Sequence, residues 1–257
     1  MSKDQEMDLI EHLTELRKRI IWVLVIFIIA LAIGFLFARP IIFYLKTTEP
    51  ASGFDWHVFS PWEPLRIYLN VAFIFGLVLA LPFALYQVWA FVKPGLRPIE
   101  QKAAALYIPF AFLLCLAGLA FGYFVVFPAA FGFTMMLSSS LHLTETIGGW
   151  QYFSFMFNII IPLSLLFELP VVVMFLTKLR ILNPAVLNKF RRISYLLLVI
   201  LSTMITPPDI VSPIIVAVPM VLLYELSVIL SRIIYKKQLE QDEQWAEEEE
   251  PSKELPE

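Results

Sequence analysis

Six long apolar segments constrain the fold of this chain more than any other feature. They cover residues 20–38, 67–92, 103–137, 153–179, 193–205 and 214–231. A transmembrane helix needs about 20 consecutive apolar residues, whereas a soluble core does not need runs of this length. Hydrophobic residues make up 59% of the 257 residues and charged residues only 16%. The sequence therefore predicts an all-α integral membrane protein with six transmembrane helices.

Lysine and arginine are distributed unevenly among the connections. Basic residues precede the first segment and follow the second, the fourth and the sixth, whereas the other connections contain only Arg39, Lys46 and Arg66. Cytoplasmic connections are enriched in lysine and arginine. Both termini are therefore predicted to be cytoplasmic.

Three regions follow from this topology. Residues 1–19 contain leucines at helical spacing, which predicts a cytoplasmic amphipathic helix at the membrane surface. Residues 20–234 form the six-span membrane domain. Residues 235–257 contain nine acidic residues, from Glu240 to Glu257, and are predicted to be a disordered cytoplasmic tail.

The last two spans are expected to form a short helical hairpin. Residues 193–205 would give a helix of roughly 20 Å, shorter than a hydrocarbon core of about 30 Å. The turn between the two spans contains Thr206, Pro207, Pro208 and Asp209. Proline also lies inside other spans, as Pro82 does in the second, and neighbouring helices can satisfy the carbonyl groups that it frees.

The sequence shows no pattern typical of catalysis. There is no phosphate-binding glycine loop, no HExxH pattern and no GxSxG pattern in a suitable setting. The three histidines fall outside the spans and Cys115 is the single cysteine, so neither a metal site nor a disulfide is expected. We therefore predict a protein that is not an enzyme and has no cofactor.

Glu168 lies within the fourth apolar segment. An ionisable group at mid-bilayer costs about 2.5–3.5 kcal/mol on insertion scales, so a contact with protein is the default interpretation. The carboxyl group could be protonated and hydrogen-bonded within the bundle near Ser164, contact a partner helix, or carry a proton. Glu225 lies closer to the cytoplasmic side, where it could pair with Arg232 or extend its carboxylate to the membrane surface, and it is interpreted as mainly structural.

Two other carboxylates border the cytoplasmic side. Spacing alone favours an ordinary ion pair between Glu15 and Arg19, one helical turn apart. Glu100 is the single acid in the basic second connection, and it too is interpreted as a member of an ordinary ion pair. The functional alternative is a receptor for a basic peptide, because arginine binds carboxylates through two parallel hydrogen bonds.

Several motifs in the sequence resemble the TatC family, the core of the twin-arginine protein translocase. They are the segments 12–19, 60–64, 82–100, 124–128, 167–170, 206–209 and 223–225, which read HLTELRKR, SPWEP, PFALYQVWAFVKPGLRPIE, FVVFP, FELP, TPPD and LYE. The similarity extends from Leu9 to Arg232 and follows the order of the six spans. Pro213 is a departure, because many members have glutamine there.

The resemblance implies a function and a set of residues. TatC proteins are receptors for twin-arginine signal peptides, and they export folded proteins across the bacterial cytoplasmic (inner) membrane with single-span partners, TatA and TatB, using the proton-motive force. The resemblance assigns signal-peptide binding to Glu15, Glu100, Leu16, Arg17 and Phe91, and partner-helix docking to Glu168, Thr203 and Thr206. An oligomeric complex in contact with membrane lipids, and without nucleic acid, is also implied.

Three hypotheses remain open from the sequence. The first is a receptor and translocation core that binds signal peptides through Glu15 and Glu100. The second is an ion-coupled transporter of small molecules that uses Glu168 as its proton site, although the chain shows no half-length repeat. The third is a structural scaffold, in which no carboxylate would affect the binding of a signal peptide.

Overall fold

The structure is a computed structural model in which most of the described residues lie in helices and none lies in a strand of a sheet. It describes the backbone of residues 3–93, 107–142, 146–206 and 211–249, and the side chains of residues 13–93, 107–142, 146–206 and 211–243. The helices are α1 (Lys3–Thr47), α2 (Glu63–Val92), α3 (Tyr107–Phe121), α4 (Phe127–Ser140), α5 (Gly149–Leu166), α6 (Leu169–Lys178), α7 (Pro184–Ile205) and α8 (Val211–Glu249).

Five stretches in the described residues are long and apolar enough to cross a membrane. They are Leu13–Thr47, Glu63–Val92, Tyr107–Ser140, Gly149–Lys178 and Val211–Glu243. The prediction of an all-α membrane protein is thereby confirmed. The predicted fifth span lies in α7, which begins with a charged portion that includes Lys189, Arg191 and Arg192 and is not among the five. The count of six spans therefore stays a prediction.

Both ends of the chain extend the membrane helices. Residues 3–19 and the first apolar segment form one continuous helix, α1, without a break near residue 19. At the other end, α8 continues to Glu249, whereas the sequence predicted disorder from residue 235. The buried Gln238 donates a hydrogen bond to the carbonyl oxygen of Lys178 at 2.9 Å, and Arg180 pairs with Asp242 at 2.8 Å. These contacts hold the start of the predicted tail against α6.

The long third apolar segment changes helical geometry in its middle. A π-helical turn, Gly122–Val126, separates α3 from α4. Pro128 lies two residues after this turn, and a proline ring clashes with the carbonyl group four residues earlier, here that of Phe124. The wider π turn therefore coincides with the residue whose carbonyl the proline displaces. Pro82, by contrast, lies inside α2 without ending it.

The loop between α1 and α2 is anchored by backbone bonds and aromatic packing. The amide of Gly149 donates to the carbonyl oxygen of His57 at 2.9 Å. The ring of Trp56 meets that of Tyr152 edge to face at 5.1 Å, and Tyr152 packs in the same way on Phe127 at 5.3 Å. We call the end of the bundle with this loop the outer end, and the end with Glu15 the inner end.

Helices α6, α7 and α8 are joined by polar contacts as well as by apolar packing. The hydroxyl groups of Thr177 in α6 and Ser231 in α8 are 2.8 Å apart. The hydroxyl of Tyr224 in α8 donates to the carbonyl oxygen of Leu187 in α7 at 2.8 Å. Because a hydrogen bond within an apolar bundle has few competing partners, these contacts fix α8 between its two neighbours.

Candidate functional site

Glu15 and Arg19 form an ion pair on the inner end of α1. The Nε atom of Arg19 donates to Oε1 of Glu15 at 3.1 Å, and its Nη2 atom contacts the same oxygen. The Nη1 atom of Arg19 donates to Oε1 of Gln87 in α2 at 3.3 Å. The pair predicted from the one-turn spacing is thus confirmed. The Glu15 side chain remains 37% exposed, so it is accessible from solvent.

An apolar cavity of about 360 Å³ lies beside this ion pair. Leu16 and Phe91, two of the residues expected to bind a signal peptide, both line it. Their neighbours come from one face of α1 and one face of α2, and they are Arg19, Ile20, Val23, Leu24, Ala84, Gln87 and Val88. The arrangement combines a charged rim with an apolar floor, which suits a peptide that carries both charged and apolar side chains.

The other two residues expected to bind a signal peptide are Arg17 and Glu100. Arg17 is exposed on α1 and does not line the cavity. Glu100 lies outside the described residues, so its role stays a prediction. Gln87 was not predicted as a site residue, but it contacts Arg19 directly. The sequence could have indicated Gln87, because it is a polar residue one helical turn before Phe91 on an otherwise apolar helix.

Glu168 lies at the junction of α5 and α6 and lines a second cavity of about 470 Å³. Both of its carboxyl oxygens are buried and have no hydrogen-bond partner within the described residues. Ser164 does not supply one, because its hydroxyl donates to the carbonyl oxygen of Ile161 at 2.9 Å. Within this part of the chain, the hydrogen-bonded arrangement considered for Glu168 is therefore not formed.

The two cavities are neighbours. Val88 in α2 lines both of them, with Phe91 on one side and Trp89 on the other. The Glu168 cavity is otherwise enclosed by α2, the start of α3, and the α5–α6 region. The two cavities therefore lie against different faces of α2 and share Val88 at their common edge.

The threonines at the end of α7 differ in accessibility. Thr203 is exposed, and its hydroxyl donates to the carbonyl oxygen of Ile200 at 2.7 Å. Thr206 is buried, and its hydroxyl donates to the carbonyl oxygen of Ser202 at 2.8 Å. Pro207, Pro208 and Asp209 lie outside the described residues.

Glu225 makes a different contact from the one predicted. Its carboxylate accepts hydrogen bonds from Arg191 and from the Tyr195 hydroxyl, both in α7. Arg232, the expected partner, instead donates to the side-chain oxygen of Asn188 at 2.9 Å. The reason is helix packing: α7 lies against α8 and brings Arg191 to Glu225, which a reading of α8 alone does not reveal. Glu225 remains structural, but it joins two helices.

The described residues contain no cluster of three or more histidine, cysteine, aspartate or glutamate side chains that could hold a metal ion. The arrangement that they do contain is a solvent-accessible carboxylate beside an apolar cavity, with a buried carboxyl group in the next cavity. Such an arrangement can bind a basic and apolar peptide.

Comparison with known proteins identifies the family. The family model described as Sec-independent protein translocase protein (TatC) matches residues 11–219. The chain is 44% identical over 234 residues to the TatC protein of Halalkalibacterium halodurans, covering 91% of this chain and 92% of that protein. It is 42% identical over 235 residues to TatCy of Bacillus subtilis, with 91% and 92% covered.

Solved structures agree with the sequence relatives. A crystal structure of the twin arginine translocase receptor TatC matches with a TM-score of 0.72 at 30% identity, covering 87% of this chain and 99% of that one. A second crystal structure of TatC, in DDM, matches with a TM-score of 0.75 at 31% identity, covering 86% and 99%. The helical arrangement and the sequence similarity lead to one conclusion: this chain belongs to the TatC family of Sec-independent protein translocase proteins.

Proposed function

We propose that this TatC-family chain binds the twin-arginine signal peptides of folded cargo proteins at its inner end, through Glu15 and Glu100. The observation that carries the proposal is the contact of Glu15 with the guanidinium group of Arg19. The site already accommodates an arginine side chain in a charge-assisted hydrogen bond, the kind of bond that an incoming signal arginine would make. A second carboxylate, that of Glu100, would take the second arginine.

The apolar cavity beside Glu15 supports the same proposal. Leu16 and Phe91 would contact apolar side chains that follow the arginines in the signal peptide. Arg17 is exposed on α1 outside the cavity and would disfavour peptides that carry a lysine or arginine at the wrong position, since like charges repel. The charge pair would orient the peptide, and the cavity would supply apolar contact area.

The partners would be single-span proteins of the TatA and TatB type, in an oligomeric complex. Glu168 supports this, because its buried carboxyl oxygens have no partner within the described residues and face a large cavity. A polar side chain on a partner helix could complete that hydrogen bonding. Thr203 is exposed enough to join such a surface, whereas Thr206 is buried and bonded to its own helix.

The proposed topology has six spans in the bacterial cytoplasmic (inner) membrane, with both termini in the cytoplasm. It follows from the distribution of lysine and arginine. The fifth span would be the apolar part of α7, residues 193–205, which with α8 would form the short hairpin. The proton-motive force would drive the export of cargo.

Crosslinking of a signal peptide tests the binding site. The variants Glu15→Gln and Glu100→Gln, and the double variant, would be mixed with a twin-arginine peptide that carries a photoreactive group. We expect each single variant to reduce crosslinking and the double variant to abolish it. Glu240→Gln is the matched control, because Glu240 is an exposed acid of α8 whose ion pair within the described residues is with Lys236 in its own helix. Full crosslinking in the double variant would contradict the proposal.

A second candidate function rests on the same unpartnered carboxyl group. A transporter of small molecules coupled to protons would also place a lone acid in a cavity of this size. It predicts proton-coupled uptake by the purified chain in liposomes, without any partner protein. Uptake that Glu168→Gln abolishes would favour the transporter, and an absence of uptake together with signal-peptide binding would favour the receptor.

A further inference from the structure

A groove of about 330 Å³ at the outer end of the bundle has no role in the proposed function. It lies between α1, α2, the start of α5 and the loop that joins α1 to α2. Its walls are largely apolar and aromatic, and they include Ile42, Phe43, Trp56, Ile67 and Phe153. The groove is far from the signal-peptide site, since Arg39 follows Glu15 by 24 residues of helix α1, about 36 Å.

Two cations line the groove from the same face of α1. Arg39 and Lys46 are two helical turns apart, with Ile42 and Phe43 between them on that face. The Nζ atom of Lys46 lies 5.1 Å from the centre of the Trp56 ring. Among the described residues, neither cation has a carboxylate partner within ion-pair distance. Within the described residues, no ion pair therefore neutralises the positive charge of the groove.

The depth of the groove places these cations at the membrane surface. The apolar run of α1 ends at Ala38, directly before Arg39, so Arg39 lies at the boundary between hydrocarbon and headgroups. Phe43 and Val58, on the two sides of the groove, are 70% and 60% exposed. Apolar side chains this exposed, beside a membrane span, are typical of a lipid-facing opening.

We propose that this groove binds one anionic phospholipid from the membrane leaflet at the outer end. Arg39 and Lys46 hold its phosphate group, Ile42, Phe43 and Val58 contact its glycerol backbone, and one acyl chain runs along the apolar wall at Ile67 and Tyr68 toward the hydrocarbon. A free phosphate ion would match the two cations but not the apolar wall, and a neutral lipid would match the wall but not the cations. The combination of both features selects an anionic lipid.

The proposal has a structural consequence for the receptor. The groove joins α1 to the loop and to the start of α5, so a bound lipid bridges these elements. It would reinforce the contact between His57 and Gly149 that anchors the loop. The outer end of α1 would then be held independently of the signal-peptide site at the inner end.

Photocrosslinking in defined bilayers tests the site with the full chain. The protein would be placed in nanodiscs of phosphatidylcholine with a small fraction of phosphatidylglycerol that carries a photoreactive acyl chain. The double variant Arg39→Gln/Lys46→Gln is expected to lose crosslinking at the groove by about tenfold, because two charge-assisted contacts to phosphate are removed. Arg66→Gln is the matched control: Arg66 is an outer-end cation that stacks on Trp150 and does not line the groove, so its crosslinking should equal that of the parent.

A second variant leaves both cations in place, so the proposal can still be tested if the double variant does not fold. Val58→Trp narrows the exposed side of the groove, and it should also reduce crosslinking. Glycerol phosphate, added in excess, should not compete, and photoreactive phosphatidylcholine should label the groove weakly. Equal labelling of parent, double variant and Val58→Trp would overturn the proposal. So would equal labelling by the two lipids, or full competition by glycerol phosphate.

Discussion

The close packing of α1 on α2 gives the sharpest stability prediction, which concerns Gly34→Ala. Gly34 is buried in α1 against the backbone of α2. A Cβ atom at this position would lie 2.4 Å from the carbonyl oxygen of Ala72 and 3.2 Å from the amide nitrogen of Gly76. Carbon–oxygen contacts in proteins are about 3.3–3.6 Å, so the helices would have to separate by about 1 Å. A backbone carbonyl cannot rotate away as a side chain can.

The magnitude follows from a matched pair of glycines. Overpacking costs about 1–3 kcal/mol, and replacement of glycine by alanine in a helix recovers up to about 1 kcal/mol. Gly132 in α4 is exposed, and a Cβ atom there would meet nothing within 4 Å. Gly132→Ala gains the same helix propensity without a clash. The difference in the free energy of unfolding between the two variants therefore measures the cost of the clash at Gly34. We expect Gly34→Ala to be less stable than Gly132→Ala by about 1–3 kcal/mol.

Thermal unfolding of the detergent-purified chain measures this difference. Each variant would be heated, and the monodisperse fraction would be followed as a function of temperature. Gly34→Ala should melt below the parent and below Gly132→Ala, which should melt at or slightly above the parent temperature. Equal melting temperatures for the two variants would refute the reasoning, because they would show that α1 and α2 are not packed through Gly34.

Three further predictions concern the polar contacts. Arg19→Gln frees the Glu15 carboxylate and should tighten binding of a twin-arginine peptide by up to about fivefold, as expected for a partly exposed pair; weaker binding in a titration would contradict this. Glu225→Gln should lower the melting temperature, and adding Arg191→Gln to this variant should lower it little more, because the two residues act through one contact. A double variant whose loss equals the sum of the two single losses would show independent roles. Glu168→Gln should keep substantial export in cells whereas Glu168→Ala loses most of it, and equal complete loss would indicate proton transfer instead.

Local sequence patterns were enough to predict the class of the protein. Five of the six apolar segments lie in helices that are long and apolar enough to cross a membrane, and their length alone predicted this. The pair formed by Glu15 and Arg19 was also predictable, because a one-turn spacing brings two side chains together in any helix. These features depend only on residues that are near one another in sequence.

Contacts between helices were not predictable in the same way. Glu225 meets Arg191 rather than Arg232, and Gln87 meets Arg19, because two helices are packed with those faces together. The helical part of the predicted tail has the same origin. Gln238 is buried against α6, and this contact supports a helix that the acidic composition alone did not suggest. Each of these outcomes depends on a neighbour that is distant in sequence.

The proposed function depends on the binding of paired signal-peptide arginines by the inner-end carboxylates. Its most direct test compares two otherwise identical signal peptides, one with the twin arginines and one with glutamines in their place, in a binding titration with the purified chain. We predict tight binding of the first and loss of binding of the second, with Glu15→Gln reducing the difference between them. Equal affinity for both peptides would show that the carboxylates do not recognise the arginines.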